Sequence, residues 1–375
     1  MNARLRTLLM TADTAGGVFS YAVELARALE PLGVDIALAL LGDPMSRSQR
    51  DALRAQRNVQ GFEGRFRLEW MADPWDDVRA SGEWLLELER RIVPDCVHLG
   101  GYAHGALPFR APVVVTAHSC VLSWWRAVKA EPPPPALDRY RHEVTRGLRG
   151  AQIVTAPTRA QLAAVSAHYG GLPEARVIPN AVHTDGYEGT AKEPFVLSAG
   201  RLWDEAKNAA ALAAAARDLS WPIELCGEAA PPGGAAGAGP QAAPLRALGV
   251  LPRAALARRM SRAAIYALPA RYEPFGLSVL EAALSGCALV LGDIASLREN
   301  WSGAARFVAP DDHAGLARTL QALIADDRAR GELASRARDR AIAFTPRAMA
   351  AAYLAAYADA IALKASRPKE DTACA

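Results

Sequence analysis

Along this chain of 375 residues, short apolar runs alternate with stretches whose apolar positions recur at helical spacing. Strands buried on both faces read as continuous hydrophobic runs, and the helices that cover them bury a single stripe. In the first half, residues 7–10, 34–41, 65–70, 95–99, 113–117, 152–156 and 176–178 read as strands. Helices are predicted from Gly16-Gly17 onward, with Tyr21, Leu25, Ala28 and Leu29 on one face, then over 46–57 and over 76–92. The proline-rich residues 131–135 read as a loop, after which helical pattern resumes at Leu137. The second half repeats the theme, with strands at 195–199, 223–226, 264–268, 288–291 and 305–308 and helices at 206–218, 253–262 and 278–285. Helical patterns at 314–325, 329–342 and 346–363 close the chain, the last opening on Pro346, which suits a first helical turn. Strand–helix alternation of this kind predicts an α/β protein with parallel, doubly wound sheets.

The length exceeds what one core sustains, so two domains are expected. The break falls after Asn180, where a polar segment carrying Gly186 and Gly189 has little periodicity. The expected organisation is a Rossmann-like domain over 1–183, a linker over 184–194, a second Rossmann-like domain over 195–345, a helix over 346–365 and a disordered tail over 366–375. Residues 229–244, almost all Ala, Gly and Pro, are expected to form a mobile loop.

Composition excludes more than it identifies. With 51% hydrophobic and 22% charged residues the profile is globular, and a formal charge of +3 gives no argument for nucleic acid as a partner. No leader-like pattern opens the chain, and no apolar run reaches the roughly 18 residues of a spanning helix. Five cysteines are scattered singly, without a Cys-x-x-Cys pair, so neither a zinc site nor a disulfide framework is indicated. A cytoplasmic location is expected, with peripheral contact at the inner face of a membrane left open.

The densest chemistry lies in Arg-Tyr-Glu-Pro-Phe-Gly-Leu-Ser-Val-Leu-Glu-Ala, residues 271–282. Glu273 and Glu281 have seven residues between them, the first on a loop broken by Pro274 and the second one turn into a helix that starts near Ser278. The amides of Gly276, Leu277 and Ser278 would be unpaired donors at that helix start, where the macrodipole favours an anion. Two carboxylates around an anion site suit a ligand with hydroxyls at both ends and a phosphate between them, as in a nucleotide sugar. A solvated pair of surface acids is disfavoured because the intervening run is apolar. Upstream, Ser-Ala-Gly-Arg-Leu-Trp-Asp-Glu-Ala-Lys-Asn, residues 198–208, places Arg201 and Lys207 after a strand end, where such folds bind ligands. Two cations there neutralise a leaving diphosphate.

The 273–281 segment resembles the Glu-x7-Glu element of retaining glycosyltransferases of family 4. The resemblance spans essentially the whole chain and implies the GT-B fold: two Rossmann-like domains facing a cleft, with a C-terminal helix crossing back to the N-terminal domain. It implies that Glu281 takes the nucleotide ribose hydroxyls, that Glu273 takes hydroxyls of the transferred sugar, and that the amides of Phe275, Gly276 and Leu277 meet the phosphates or sugar. Arg201 and Lys207 resemble the family's cation pair on the donor diphosphate, at a spacing of six rather than five. Gly16 and Gly17 resemble its cleft-side glycine loop. His118, after a buried strand, resembles a histidine pointing at the sugar. Ser119, Trp124, Trp125 and Arg126 follow it and are candidates for the acceptor side, unless the two tryptophans merely fill the domain core. Val177-Ile178-Pro179-Asn180-Ala181-Val182 resembles the interdomain Pro-Asn-Gly-Val-Asp, with Ala181 for glycine and His183 for aspartate, which leaves Asn180 a support role. The implied activity is retaining transfer from a nucleotide-sugar donor to a carbohydrate, glycolipid or small-molecule hydroxyl, with no cofactor and no metal. The alternatives are a nucleotide-sugar epimerase of the same fold or a non-catalytic sugar-nucleotide-binding protein.

Overall fold

The computed structural model describes residues 5–187, 189–231 and 245–366. Residues 232–244 and 367–375, which carry most of the expected mobile loop and disordered tail, lie outside the described residues. The first sheet holds β1 (Thr7–Asp13), β2 (Asp35–Leu41), β3 (Val59–Gly64), β4 (Cys96–Leu99), β5 (Val113–Thr116), β6 (Ile153–Ala156) and β7 (Glu174–Val177), in the order β3-β2-β1-β4-β5-β6-β7. The second holds β8 (Glu193–Ala199), β9 (Ile223–Cys226), β10 (Leu245–Gly249), β11 (Ala263–Leu268), β12 (Ala288–Gly292) and β13 (Arg306–Val308), in the order β10-β9-β8-β11-β12-β13. Every pairing is parallel. In both sheets the chain starts near the middle and reverses direction, which leaves a switch point beside β1 and another beside β8.

The helices are α1 (Gly17–Leu29), α2 (Arg47–Arg54), α3 (Trp75–Ile92), α4 (Val121–Lys129), α5 (Asp138–Gly150), α6 (Arg159–Tyr169), α7 (Ala209–Ala216), α8 (Arg253–Arg262), α9 (Leu277–Leu284), α10 (Ala295–Trp301), α11 (His313–Ala325), α12 (Asp327–Ala341) and α13 (Pro346–Ser366). Each sheet is covered on both faces, and its central strands are fully buried. The last helix belongs to the first domain's packing. Met349, Ala350, Tyr353, Ala356, Tyr357 and Ala360 of α13 join the core around β1 and α1. The Tyr357 hydroxyl lies 2.7 Å from Nδ1 of His98, and Lys364 donates to the carbonyls of Phe109 and Ala111 at 2.6 and 3.0 Å. By composition the stretch 327–366 is long and apolar enough to cross a membrane; 33% of its most apolar window is buried, and the α13 residues named above pack in the first domain's core.

Three expectations about elements are corrected. Residues 65–70 form a loop and the strand is β3, immediately before it. As an edge strand β3 needs no apolar run. The alternating Phe66, Leu68 and Trp70 instead anchor the loop, with the Phe66 ring 5.6 Å from Trp84 and Leu68 buried. The helix expected over 206–218 begins at Ala209, because Asn208 adopts a left-handed conformation (φ 58°) after the turn Glu205–Lys207. Its side-chain nitrogen donates to the carbonyls of Pro269 and Pro310 at 2.9 and 2.8 Å, and its oxygen accepts from Arg271 at 2.7 Å. Finally β10, α4, α6 and α10 appear where no element was expected.

Candidate active site between the two sheets

The carboxyl ends of β1 and β8 approach each other across the interdomain cleft. Gly16 ends the β1 turn at φ 74°, and a Cβ built on it would lie 3.4 Å from Nη1 of Arg201. A Cβ on Gly17 would lie 3.5 Å from Cδ1 of Leu277. The glycine pair lets the first domain's backbone close directly over the cation and the α9 start of the second. Arg201 is held from below: its Nη2 donates to Oδ2 of Asp204 at 2.9 Å and its guanidinium sits 5.4 Å from the Trp203 ring.

Lys207 and Glu273 form a mostly buried ion pair at 2.5 Å. The other oxygen of Glu273 accepts from the Gly276 amide at 2.9 Å and more weakly from Phe275 at 3.4 Å. This corrects the expectation that the Gly276 amide is unpaired. The carboxylate reaches forward to the helix start, where the dipole stabilises a negative charge. The amides of Leu277 and Ser278, at the start of α9, have no hydrogen-bond partner among the described residues. Phe275 places its ring in the core, 5.6 Å from Phe344.

Glu281, one turn into α9, accepts from the Tyr187 hydroxyl at 2.7 Å. Burial raises its pKa, against the opposing pull of that hydroxyl and of Arg253. On the first domain, burial pushes His118 down to about 3, so its imidazole is neutral, and its Nε2 is buried without a partner among the described residues. Its ring packs edge-on against Tyr21 at 4.3 Å. Ser119 is exposed, and its carbonyl accepts from the Tyr102 hydroxyl. The next amide, Cys120, donates to the hydroxyl of Tyr272 in the second domain at 2.8 Å.

The α4 tryptophans differ. Trp124 crosses the cleft and donates its indole N–H to Oδ1 of Asp204 at 2.8 Å. Trp125 is half-buried beside it, with ring centroids 6.4 Å apart and its indole nitrogen unpartnered among the described residues. Arg126 is exposed on the same helix.

Several site residues went unnoticed in the sequence. Asp204 sits three positions after Arg201 and binds it together with Trp124. Asp13 ends β1, and one of its oxygens is buried without a partner among the described residues. Burial pushes Asp13 up to about 7, while the Arg201 charge and the Trp70 side chain pull the other way and Glu69 adds to the rise. Glu69 itself is fixed by the amides of Tyr102 and Ala103. The only local signal for Asp13 was its place immediately after a strand.

Comparison with known proteins fits this geometry. Residues 15–185 match the model of Glycosyltransferase Family 4, and residues 193–326 match that of Glycosyl transferases group 1. The two matches together span most of the chain and both of its sheets. The protein belongs to the family 4 glycosyltransferases. No curated protein sequence matches it significantly. In structure, this family member is similar to a sucrose-phosphate synthase from Thermosynechococcus elongatus (TM-score 0.76, 18% identity, covering 95% of this chain and 99% of that one). It is also similar to HepE from Anabaena, solved with UDP and glucose (0.72, 16%, covering 95% and 100%). WaaG, a glycosyltransferase involved in lipopolysaccharide biosynthesis, is a third (0.69, 13%, covering 94% and 99%). These structures share the GT-B fold with this family 4 chain.

Proposed function

We propose that this protein is a retaining glycosyltransferase that moves a glycosyl group from a nucleotide sugar to a hydroxyl on a glycan, glycolipid or small molecule, without a metal ion. The observation that carries the reading is that Arg201 lies against the Gly16 turn while Lys207, packed beside Gly200 at the same strand end, pairs with Glu273. A departing nucleoside diphosphate gathers negative charge, and two fixed cations in a partly dry cleft stabilise it most where it develops. A diphosphate entering beside Lys207 would share that cation with Glu273 and release carboxylate capacity for sugar hydroxyls. The free amides of Leu277 and Ser278 favour a phosphate oxygen at the same place. Neutral His118 offers an uncharged nitrogen toward the sugar side, and Glu281 offers acceptors for a ribose. The acceptor side then falls to the first domain around Gly17, His118 and Ser119. Retention follows if the attacking hydroxyl approaches from the face of the leaving phosphate, which takes its proton.

HepE is solved with UDP-glucose, so a uridine diphosphate sugar is the first donor to test. A melting-temperature screen of UDP-, GDP-, ADP- and dTDP-sugars should show one that stabilises the protein, since a ligand bound only by the folded state raises apparent stability. Arg201→Ala and Lys207→Ala should each lower turnover of that donor by roughly 100- to 1,000-fold. Turnover should survive EDTA. The reading fails if no sugar nucleotide binds. Metal independence fails if chelation stops turnover and magnesium or manganese restores it.

A further inference from the structure

We infer that Tyr187, a residue of the interdomain linker, is a positioning residue that presents the Glu281 carboxylate to the donor ribose and thereby sets the preference for ribonucleotides over 2′-deoxyribonucleotides. This rests on the reading of the site as a nucleotide-sugar site.

The Tyr187 ring is buried in the second domain's core beside α9, at 4% exposure, so its hydroxyl has little freedom. It donates to Oε1 of Glu281 at 2.7 Å. An ionised carboxylate accepts about four hydrogen bonds, and only as the anion can it take both hydroxyls of a ribose diol. Burial opposes that charge and holds the Glu281 pKa above its ordinary value, and the Tyr187 donor offsets only part of this. One lone pair is thus committed to fixing the plane of the group, and Oε2 has no hydrogen-bond donor among the described residues.

The hydroxyl is itself held. Arg253, at the start of α8, interacts with Tyr187 and with Glu281, and its guanidinium is tied to Oε1 of Glu24 on α1. Glu24 is 1% exposed, and its second oxygen accepts from the His183 amide at 2.8 Å and pairs with His183 Nδ1 at 2.5 Å. Burial works against the Glu24 charge, but His183 and Arg253 hold its pKa below the ordinary carboxylate value. A chain of polar contacts therefore runs from Glu24 through His183, just before the linker, and Arg253 to Tyr187 in the linker and on to the ribose-facing acid. His183 stands where the family motif has aspartate, so a carboxylate supplied by α1 replaces one that the linker lacks.

The test is calorimetric titration of UDP, GDP and ADP, each beside its 2′-deoxy analogue, into wild type, Tyr187→Phe, Glu281→Gln and the double variant. Phenylalanine keeps the buried ring, and the melting temperature checks that the fold is intact. Wild type should bind one ribonucleotide more tightly than its 2′-deoxy form. Tyr187→Phe should weaken the ribonucleotide by about three- to tenfold and the 2′-deoxy form by less than about twofold, so that the ratio shrinks. The double variant should be no worse than Glu281→Gln alone, because the tyrosine acts through the acid. An unchanged ratio in Tyr187→Phe, or equal weakening of both forms, overturns the positioning role and leaves the nucleotide site standing. Failure of wild type to bind any of the nucleotides removes the site and the inference with it.

Discussion

Asp204 accepts from Arg201 with one oxygen and from the Trp124 indole with the other, so a single buried carboxylate fixes this cation and binds the first domain to it. Trp124 is therefore a bridge as well as a candidate surface for an acceptor. Trp124→Phe keeps the ring and deletes the N–H. It should cut turnover several-fold while changing donor affinity little, with a stability loss of about 0.5–1.5 kcal/mol. Steady-state kinetics on the donor found in the screen decide this, and unchanged turnover would refute it. Asp13 makes a second prediction at this scale. Its folded pKa of about 7 lies above the ordinary 3.8, so between those values the folded protein keeps a proton that the unfolded chain has lost. Stability contributed through Asp13 is then present at low pH, falls as pH rises from about 4 to about 7, and is flat above. Asp13→Asn is neutral throughout, so its melting temperature should gain on wild type across that window and hold the gain at about pH 8. A difference that does not change with pH would contradict the raised pKa. Arg201, Lys207, Glu273 and Glu281 were legible in the sequence because their motifs are local. The partners that orient them were not, since Tyr187 and Glu281 lie 94 positions apart and Arg253 and Glu24 lie 229 apart.

At the scale of elements, the central strands were legible because burial on both faces forces unbroken apolar runs, as in β5 and β12. The edge strands β3 and β10 were not, because only one side pairs and much of each is exposed. Helix α6 escaped notice because alanines interleaved with polar residues leave no continuous stripe. Helix α9 was placed within a residue of its start because Gly276 marks it. Gly276 adopts φ 88°, and a Cβ there would lie 3.0 Å from Cγ2 of Val279. Gly276→Ala should therefore cost about 1–2 kcal/mol for the left-handed backbone alone. It should also disturb the amide that holds Glu273, lowering turnover beyond what the stability loss explains. Denaturant unfolding and donor kinetics on the same variant separate the two effects. A variant as stable as wild type would show that the turn relaxes without strain.

At the scale of the whole molecule, the two domains are joined by contacts that each contribute little. Glu299 on α10 accepts from the amides of Arg159 and Ala160 at 2.9 and 3.0 Å, capping α6 from the opposite domain. Thr158 donates to the Pro274 carbonyl at 3.0 Å, which ties the same helix start to the loop that follows Glu273. Lys129 pairs with Glu205 at 2.8 Å, beside the turn that carries Lys207. A carboxylate at a helix N-terminus contributes about 0.3–1 kcal/mol and an exposed ion pair roughly 0–1 kcal/mol. Closure that rests on such terms is shallow, and it is anchored on the segments that also bear Lys207 and Glu273. Removing two of the latches should therefore open the molecule without unfolding either domain. In small-angle scattering, Glu299→Ala with Lys129→Ala should show a larger radius of gyration than wild type when free of ligand. The sugar nucleotide chosen by the screen should return it to the wild-type value, because ligand contacts on both sides of the cleft replace the lost ones. Scattering from the double variant that matches wild type without ligand would place the closing free energy elsewhere, in the Glu24–Arg253 and Trp124–Asp204 contacts that the variant leaves intact.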